Sequence, residues 1–367
     1  MISLDGDYLE GGGSIARVAL ALSTITQKPF EIGNIRKNRP QSGLKNQHLF
    51  CIKALEQLCN AKSEGAFLGS TSLKYFPGKI EGKPITVDIE TAGSISLFLQ
   101  AILLPCMFAN KATKLTIIGG TDAKWAAPID YFNEVFLPQV KKYADMEFKL
   151  IKRGYYPKGN GRIELKITPK YKISDFADFE AFFNHLKENA PKINLTGQEN
   201  LMQIKGISHA SSDLQTSKVA ERQAESAQLI LKQKYEAPIK IASEYQDTLS
   251  SGSGITLWAI FSKNMGEIDS LNPIRLGADS LGEKGKKSEI IGTEAANNLI
   301  KGIESKAPAD KHLADQLLAF MALVSKSKIK TSEITNHART NIYVIEKFFG
   351  EAFSINEKEK IISTVDQ

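Results

Sequence analysis

The 367-residue chain is 42% hydrophobic and 24% charged, and its 47 basic against 41 acidic side chains leave a formal charge of +6. At roughly 100–200 residues per domain that length predicts two or three domains, and the composition excludes wholesale disorder. The basic excess permits a polyanionic partner without singling one out. From the N-terminus, Met1-Ile2-Ser3-Leu4-Asp5-Gly6-Asp7 shows neither a basic n-region nor an apolar h-region, so no secretory signal is expected.

A glycine run, Glu10-Gly11-Gly12-Gly13-Ser14, leads into an Ala- and Leu-rich helical stretch through Arg17 and Ser23. A turn and the strand-like Pro29-Phe30-Glu31-Ile32 follow, then the polar loop Arg36-Lys37-Asn38-Arg39-Pro40 and a helix from Gln47 to Cys59. Gly93-Ser94-Ile95 starts the same series again. The apolar run from Ile95 to Ala109 is broken by Ser96, Gln100 and Pro105. It is too short and too polar for a membrane span and reads as a buried helix stopping at the proline, so no membrane partner is expected. A strand at Lys114–Ile118, the loop Gly119-Gly120-Thr121-Asp122 and a helix from Tyr131 to Lys142 complete this second unit.

Residues 199–306 differ in character. Strands are predicted at Leu201–Ile207, Ile239–Ala242 and Ile255–Phe261, with a turn at Gly252-Ser253-Gly254 and helices at Ser217–Lys234 and Ser288–Ile303. A third unit then follows: a helix over Leu313–Leu323, a strand over Lys328–Ile334, a polar turn at Asn336–Thr340 and a helix from Asn341 to Phe349. Any α+β chain alternates in this way, but the repeated Gly-Ser-Ile favours a true helix–strand–loop–helix–strand repeat. The expected fold is thus α/β (α+β): repeated units of a small sheet with two helices form a large domain, residues 1–198 and 307–367. A smaller α/β domain, 199–306, is inserted in it at a loop. Cys51, Cys59 and Cys106 lie in apolar helical contexts. An odd, sparse set argues against a disulfide framework or zinc site and fits a reducing, cytoplasmic location.

Few side chains suggest chemistry. Of five histidines, only His337 falls in a short polar turn, where it is open to reading as a reacting group or as a helix cap. The glycine run can present backbone N–H groups to an anion at a helix start, or simply make a tight turn. It matches neither the Walker nor the dinucleotide pattern. Glu10 before it could hold a divalent cation or cap the helix. Arg36 and Arg39 suit phosphate oxygens, or form a solvated loop. Asp315-Gln316 offers a carboxylate and an amide at an expected helix start, where capping is the plain role.

Together these stretches resemble the RNA 3′-terminal phosphate cyclase family. The resemblance rests on Leu9-Glu10-Gly11-Gly12-Gly13-Ser14-Ile15-Ala16-Arg17, Ile35-Arg36-Lys37-Asn38-Arg39, and Ser42-Gly43-Leu44-Lys45-Asn46-Gln47-His48-Leu49. Further blocks are Thr91-Ala92-Gly93-Ser94 with Gln100, Gly119-Gly120-Thr121-Asp122 with Ala127-Pro128, and Arg153-Gly154-Tyr155-Tyr156-Pro157-Lys158-Gly159. Gly282-Glu283-Lys284-Gly285-Lys286, Leu313-Ala314-Asp315-Gln316 and His337-Ala338-Arg339-Thr340-Asn341 complete the series. These blocks span the chain in the family's order.

The resemblance implies repeated α/β units with an inserted domain, and a reaction in three steps. A histidine takes AMP from ATP, passes it to an RNA 3′-phosphate, and the neighbouring 2′-OH closes a 2′,3′-cyclic phosphate as AMP leaves. By this resemblance His337 is the nucleophile. Arg17, Arg36, Arg39, Gln47, Gln100, Asp315 and Gln316 contact nucleotide and phosphate, and Glu10 is associated with a divalent metal, Mg or Mn. RNA 3′-phosphate ends are the implied partner; oligomeric state is left open. The chain departs from the family at Ser14, where Gln is usual, near His312, where an aromatic is common, and at Asn160, where glycine is expected. Two other readings are a non-catalytic relative acting in ribosome biogenesis and a transferase acting on small phosphorylated metabolites.

Overall fold

In a computed structural model, which describes residues 1–264 and 266–365, the glycine run leads into α1 (Ser14–Thr26), a helix buried on every face. An apolar helix with no polar stripe has no face to offer water, so it must lie at the centre of a layer. It packs between α3 (Ile95–Met107) and α10 (Asn336–Phe349), with α2 (Asn46–Cys59) alongside. The α3 helix continues two residues past Pro105 rather than stopping at it. Proline costs most in mid-helix, and this one sits in the last turn, so little of the helix depends on it.

Three sheets share one plan. The first comprises β1 (Ile2–Asp5), β2 (Phe30–Gly33), β3 (Lys62–Glu64) and β4 (Leu73–Phe76), in the order β1-β2-β4-β3. The second comprises β5 (Ile85–Asp88), β6 (Thr113–Gly119), β7 (Ala144–Lys152) and β8 (Gly161–Pro169), in the order β5-β6-β8-β7. The third takes β9 (Asn194–Leu195) and, far along the chain, β14 (Lys328–Lys330), β15 (Phe353–Asn356) and β16 (Ile361–Thr364), in the order β15-β16-β14-β9. In each, the first two strands run parallel and the last two are antiparallel. The short helices α4 (Ile129–Tyr131) and α5 (Leu137–Val140) follow β6, and α6 (Phe179–Asn189) follows β8. The unit is therefore strand–helix–strand–helix–strand–strand. Sequence periodicity misses its first and last strands because they are only two to nine residues long and several are exposed on one face.

A fourth sheet, in the order β11-β10-β12-β13, uses β10 (Asn200–Ser211), β11 (Ile239–Gln246), β12 (Ser253–Ser262) and β13 (Ile274–Leu281). Helices α7 (Val219–Lys232) and α8 (Ser288–Glu304) cover it and share an apolar core with it, including Ile204, Leu231, Leu257 and Leu299. Ser253 and Gly254, expected in a turn, instead open β12, paired with Ala210 and His209.

The seam between this sheet and the second unit is polar. Arg153, 1% exposed, donates from Nη1 to Asp130 at 2.8 Å and to Asp122 at 3.4 Å, and lies 3.5 Å from Glu244 on β11. His209 on β10 contacts Asp122 through Nε2 at 3.1 Å and Tyr155 Oη through Nδ1 at 2.8 Å. Burial alone would raise the Asp122 pKa, but His209 and Arg153 hold its carboxyl well below the usual range. Removing one partner of such a pair strands a buried charge, which costs about 3–5 kcal/mol. Arg153→Met is therefore expected to lower the urea unfolding free energy by roughly that amount. A midpoint equal to the parent's would show the seam to be dispensable.

Candidate active site

Side chains carried on and just before α1 and on the helix bearing Asp315 meet around His337. Sequence reading places this residue in a turn, but it is the second residue of α10. Thr335 caps that helix, its Oγ1 accepting from the Ala338 N–H at 3.1 Å, and this draws the polar segment into helical geometry. Asp315 likewise does not head its helix. It lies in the second turn of α9 (Lys311–Met321), whose cap is Asp310, accepting from the His312 and Leu313 N–H groups at 2.9 and 3.0 Å. Asp310 also accepts from Tyr131 Oη at 2.8 Å and from the Gly277 N–H at 3.1 Å, so it fixes α9 against the fourth sheet.

Asp315 Oδ2 lies 2.7 Å from His337 Nδ1, a short contact whose angle is bent from that of a linear hydrogen bond. Its other oxygen accepts from Asn341 Nδ2. With Nδ1 held by the carboxylate, Nε2 is the ring nitrogen left to react. Burial and the nearby Arg17 charge oppose protonation of His337. The Asp315 contact outweighs them, with help from Glu10, and the pKa rises above 6.5.

Arg17, 4% exposed, reaches from α1 and donates from Nε to Gln100 Oε1 on α3 at 3.0 Å. Burial lowers its pKa to about 10, so it is still a cation at neutral pH. Gln100, Asp315 and Gln316 share one apolar cleft with Val18, Leu99 and Phe320. Arg39 is exposed and donates to the Glu10 carbonyl at 2.8 Å, over the glycine turn. Arg36, half-buried at a φ of +55°, has its pKa lowered by burial and by Arg39, and its Nε has no protein partner. Gln47 packs beside Gly93 at the start of α3. The expected site residues thus come from neighbouring elements: Arg17, Gln100, Asp315, Gln316 and His337 line or border the cleft, while Glu10, Arg36, Arg39 and Gln47 lie on the loops and helix start around the glycine turn and His48.

Sequence reading passed over His48. This residue is 1% exposed, and its Nδ1 accepts from the Lys45 N–H at 2.9 Å. That fixes the N–H on Nε2, which points at Gly13 and has no acceptor. A Cβ at Gly13 would lie 2.2 Å from this nitrogen, so only glycine fits there. Ser14 Oγ, also buried and without a partner, lies at the same helix start. These orphaned polar groups, with α1's first N–H groups and Arg17, form a cradle suited to an anion. The available signal was position: His48 follows Gln47 directly after a basic loop. At Asn160 the φ is +61°, a left-handed conformation that Asn adopts more readily than most residues, so that departure from the expected glycine is absorbed.

Among the described residues one group of three metal-ligating side chains converges, Asp122, Asp130 and His209, and Arg153 already supplies its positive charge. No helix among them is long and apolar enough to cross a membrane.

A carboxylate-aligned histidine facing a glycine-lined anion cradle, on repeated α/β units, defines an enzyme that handles phosphate esters. A family model described as RNA 3′-terminal phosphate cyclase matches residues 8–355. The chain is 43% identical over 356 residues to an RNA 3′-terminal phosphate cyclase of Pyrococcus furiosus, covering 97% of this chain and 95% of that one. It is 42% identical to that of Methanosarcina acetivorans, with 98% of each covered, and 39% identical to that of Archaeoglobus fulgidus, with 99% of each covered. The chain belongs to the RNA 3′-terminal phosphate cyclase family, a family of enzymes.

Burial and the Arg17, Arg36 and Lys45 charges push the His48 pKa down to about 3. Between pH 6.5 and 3 the unfolded chain binds a proton there that the folded chain refuses, so stability falls as pH falls through that window. In His48→Gln the decline of Tm from pH 6.5 to 4.5 is expected to be shallower than in the parent. Parallel declines would remove His48 as the acid-sensitive group.

Proposed function

We propose that this enzyme uses ATP to convert an RNA 3′-terminal phosphate into a 2′,3′-cyclic phosphate, with His337 as the nucleophile. The observation that carries the reading is the 2.7 Å contact of His337 Nδ1 with Asp315, which leaves Nε2 for attack. Nε2 bonds to the α-phosphorus of ATP as the bond to pyrophosphate breaks. The proton stays on Nδ1, where Asp315 balances the positive ring. An oxygen of the RNA 3′-phosphate then takes the AMP, breaking the N–P bond and giving an RNA adenylate. In the last step the adjacent 2′-OH attacks the 3′-phosphorus, loses its proton to solvent and expels AMP. Attacking and leaving groups are already on one nucleotide, so little entropy is left to lose.

In this reading Arg17 and Gln100 act as a bonded pair on the α-phosphate, with Gln316 beside them, while Arg36, Arg39 and Gln47 hold the outer phosphates near the glycine turn. Glu10 is a single carboxylate, which suits Mg or Mn, since such an ion takes one or two protein carboxylates and completes its shell with phosphate and water. Its contribution when bound would be to neutralise phosphate charge. The histidine–carboxylate pair favours this over a non-catalytic role. The proposal also divides the chain into a large domain, 1–198 with 307–367, and an insert, 199–306. A cytoplasmic location is in keeping with three free, buried cysteines.

With ATP labelled at the α-phosphate, an acid-labile, base-stable protein–AMP adduct is expected, and His337→Ala should abolish it. An intact adduct in that variant would remove the assignment. Adduct formation should fall with pH through a midpoint above 6.5, because only neutral His337 attacks. Asp315→Asn should lower both the rate and that midpoint, since burial and Arg17 are then opposed by Glu10 alone. Arg36→Ala and Arg39→Ala should lose adenylation or transfer while keeping the parent Tm.

A further inference from the structure

Two large aromatic side chains stand in water beside the site. Trp125 is 90% exposed and Tyr156 79%, whereas Trp258 is buried at 4%. Neither exposed ring sits on a loose loop. The Thr121 N–H donates to the Gly154 carbonyl and the Gly154 N–H to Thr121 Oγ1, each at 3.0 Å, and Asp122 bridges to Tyr155. The Ala126 N–H closes a turn onto Ala123, and Trp125 within it has a φ of +64°. A bulky residue in left-handed backbone is costly, and here the surrounding hydrogen bonds hold it, ring outward. The Lys158 N–H is pinned to Ser250 Oγ at 3.1 Å, which fixes the loop carrying Tyr156.

These loops adjoin the cleft. Ser96 Oγ donates to the Ala127 carbonyl at 2.6 Å, and one helical turn further along α3 Gln100 holds Arg17. That turn rises roughly 5–6 Å. Lysines are carried on the same loops and on the loop tied to them. Lys124 lies 5.5 Å from the Trp125 centroid and is tied to Glu283 at 3.6 Å; Lys158, Lys284 and Lys287 are exposed on the same and the facing loop.

We infer that Trp125 and Tyr156 form a stacking platform for single-stranded RNA, on which bases upstream of the terminal nucleotide lie while the lysines track their phosphates. Exposed rings fixed in place and interleaved with cations are the combination that holds a single strand without reading its sequence. The inference rests on the cyclase reading for where the 3′ end goes, and it adds how the rest of the strand is held. The chain would then prefer oligonucleotides over a mononucleotide, with little base preference.

The chain has two tryptophans, and Trp258 is buried away from any ligand, so a change on RNA addition in fluorescence excited at 295 nm reports Trp125 over a constant Trp258 emission. A 3′-phosphorylated single-stranded RNA decamer is expected to quench it. Trp125→Ala should weaken decamer binding about 5- to 150-fold, as the loss of one base stack implies. Trp125→Phe should restore most of it, and the affinity for a nucleoside 3′-phosphate should not change. Lys158→Ala with Lys284→Ala should flatten the salt dependence of decamer binding. Unquenched fluorescence with unchanged decamer affinity in Trp125→Ala would overturn the platform and leave the rings to a protein partner. Protein–AMP formation without RNA reads the cyclase proposal separately: an adduct with no Trp125 effect sinks only the platform, and decamer binding still tests the platform if no adduct forms.

Discussion

A buried guanidinium organises this molecule. Arg153 is too deep for water to solvate it, so the surrounding chain must supply carboxylates, and it does so from separate places. Asp122 and Asp130 belong to the loop and short helix after β6, and Glu244 to the fourth sheet. Hydrophobic contact between two sheets allows sliding, whereas a fork of N–H donors meets its acceptors in one arrangement only. His209 and Tyr155 extend the same network, and burial together with Asp122 and Asp310 pushes the neighbouring Asp279 carboxyl up to about 7. The fourth sheet is thereby fixed in orientation, and through Asp310 so is the helix that bears Asp315.

The repeated plan explains why the candidate site lies where it does. In the first two units the first helix follows the carboxyl end of the first strand directly, in the third it does so after the fourth sheet's segment, and ligands of parallel α/β arrangements gather outside such ends. The three first helices contribute Arg17 from α1, Gln100 from α3, and Asp315 with Gln316 from α9, all within two turns of their starts. The second helices contribute at matching depth: Gln47 is the second residue of α2 and His337 the second of α10. One folding unit used three times thus brings three different sets of polar side chains to neighbouring positions.

Much of this was legible in the sequence. The Ala- and Leu-rich stretches read as helices because burial on all faces leaves an unmistakable apolar run, and the Gly-Ser-Ile echo exposed the repeat. The ordered motifs carried the family, and the residues they singled out fall on neighbouring elements of the fold. What escaped was decided by contacts far apart in the chain. His337 reads as a turn residue because its neighbours are polar, and only the Thr335 cap commits the segment to a helix. Asp310 was hidden because its partners, Tyr131 and Gly277, lie 179 and 33 positions away. His48 looks like an ordinary helix residue until Gly13 is seen to abut its ring.

The third sheet has an unusual history written into its order. Its first strand, β9, pairs with β14 through Asn194 with Lys328 and Leu195 with Ile329, across the whole of the fourth sheet's segment. As the chain leaves the ribosome, β10 to β13 can pair with one another while β9 still lacks its neighbour. Being two residues long, β9 offers little waiting edge for a wrong partner. The Asp315–His337 pair, carried on helices flanking β14, can therefore assemble only once residues 311–349 have been made, after most of the anion cradle around α1 has had time to form.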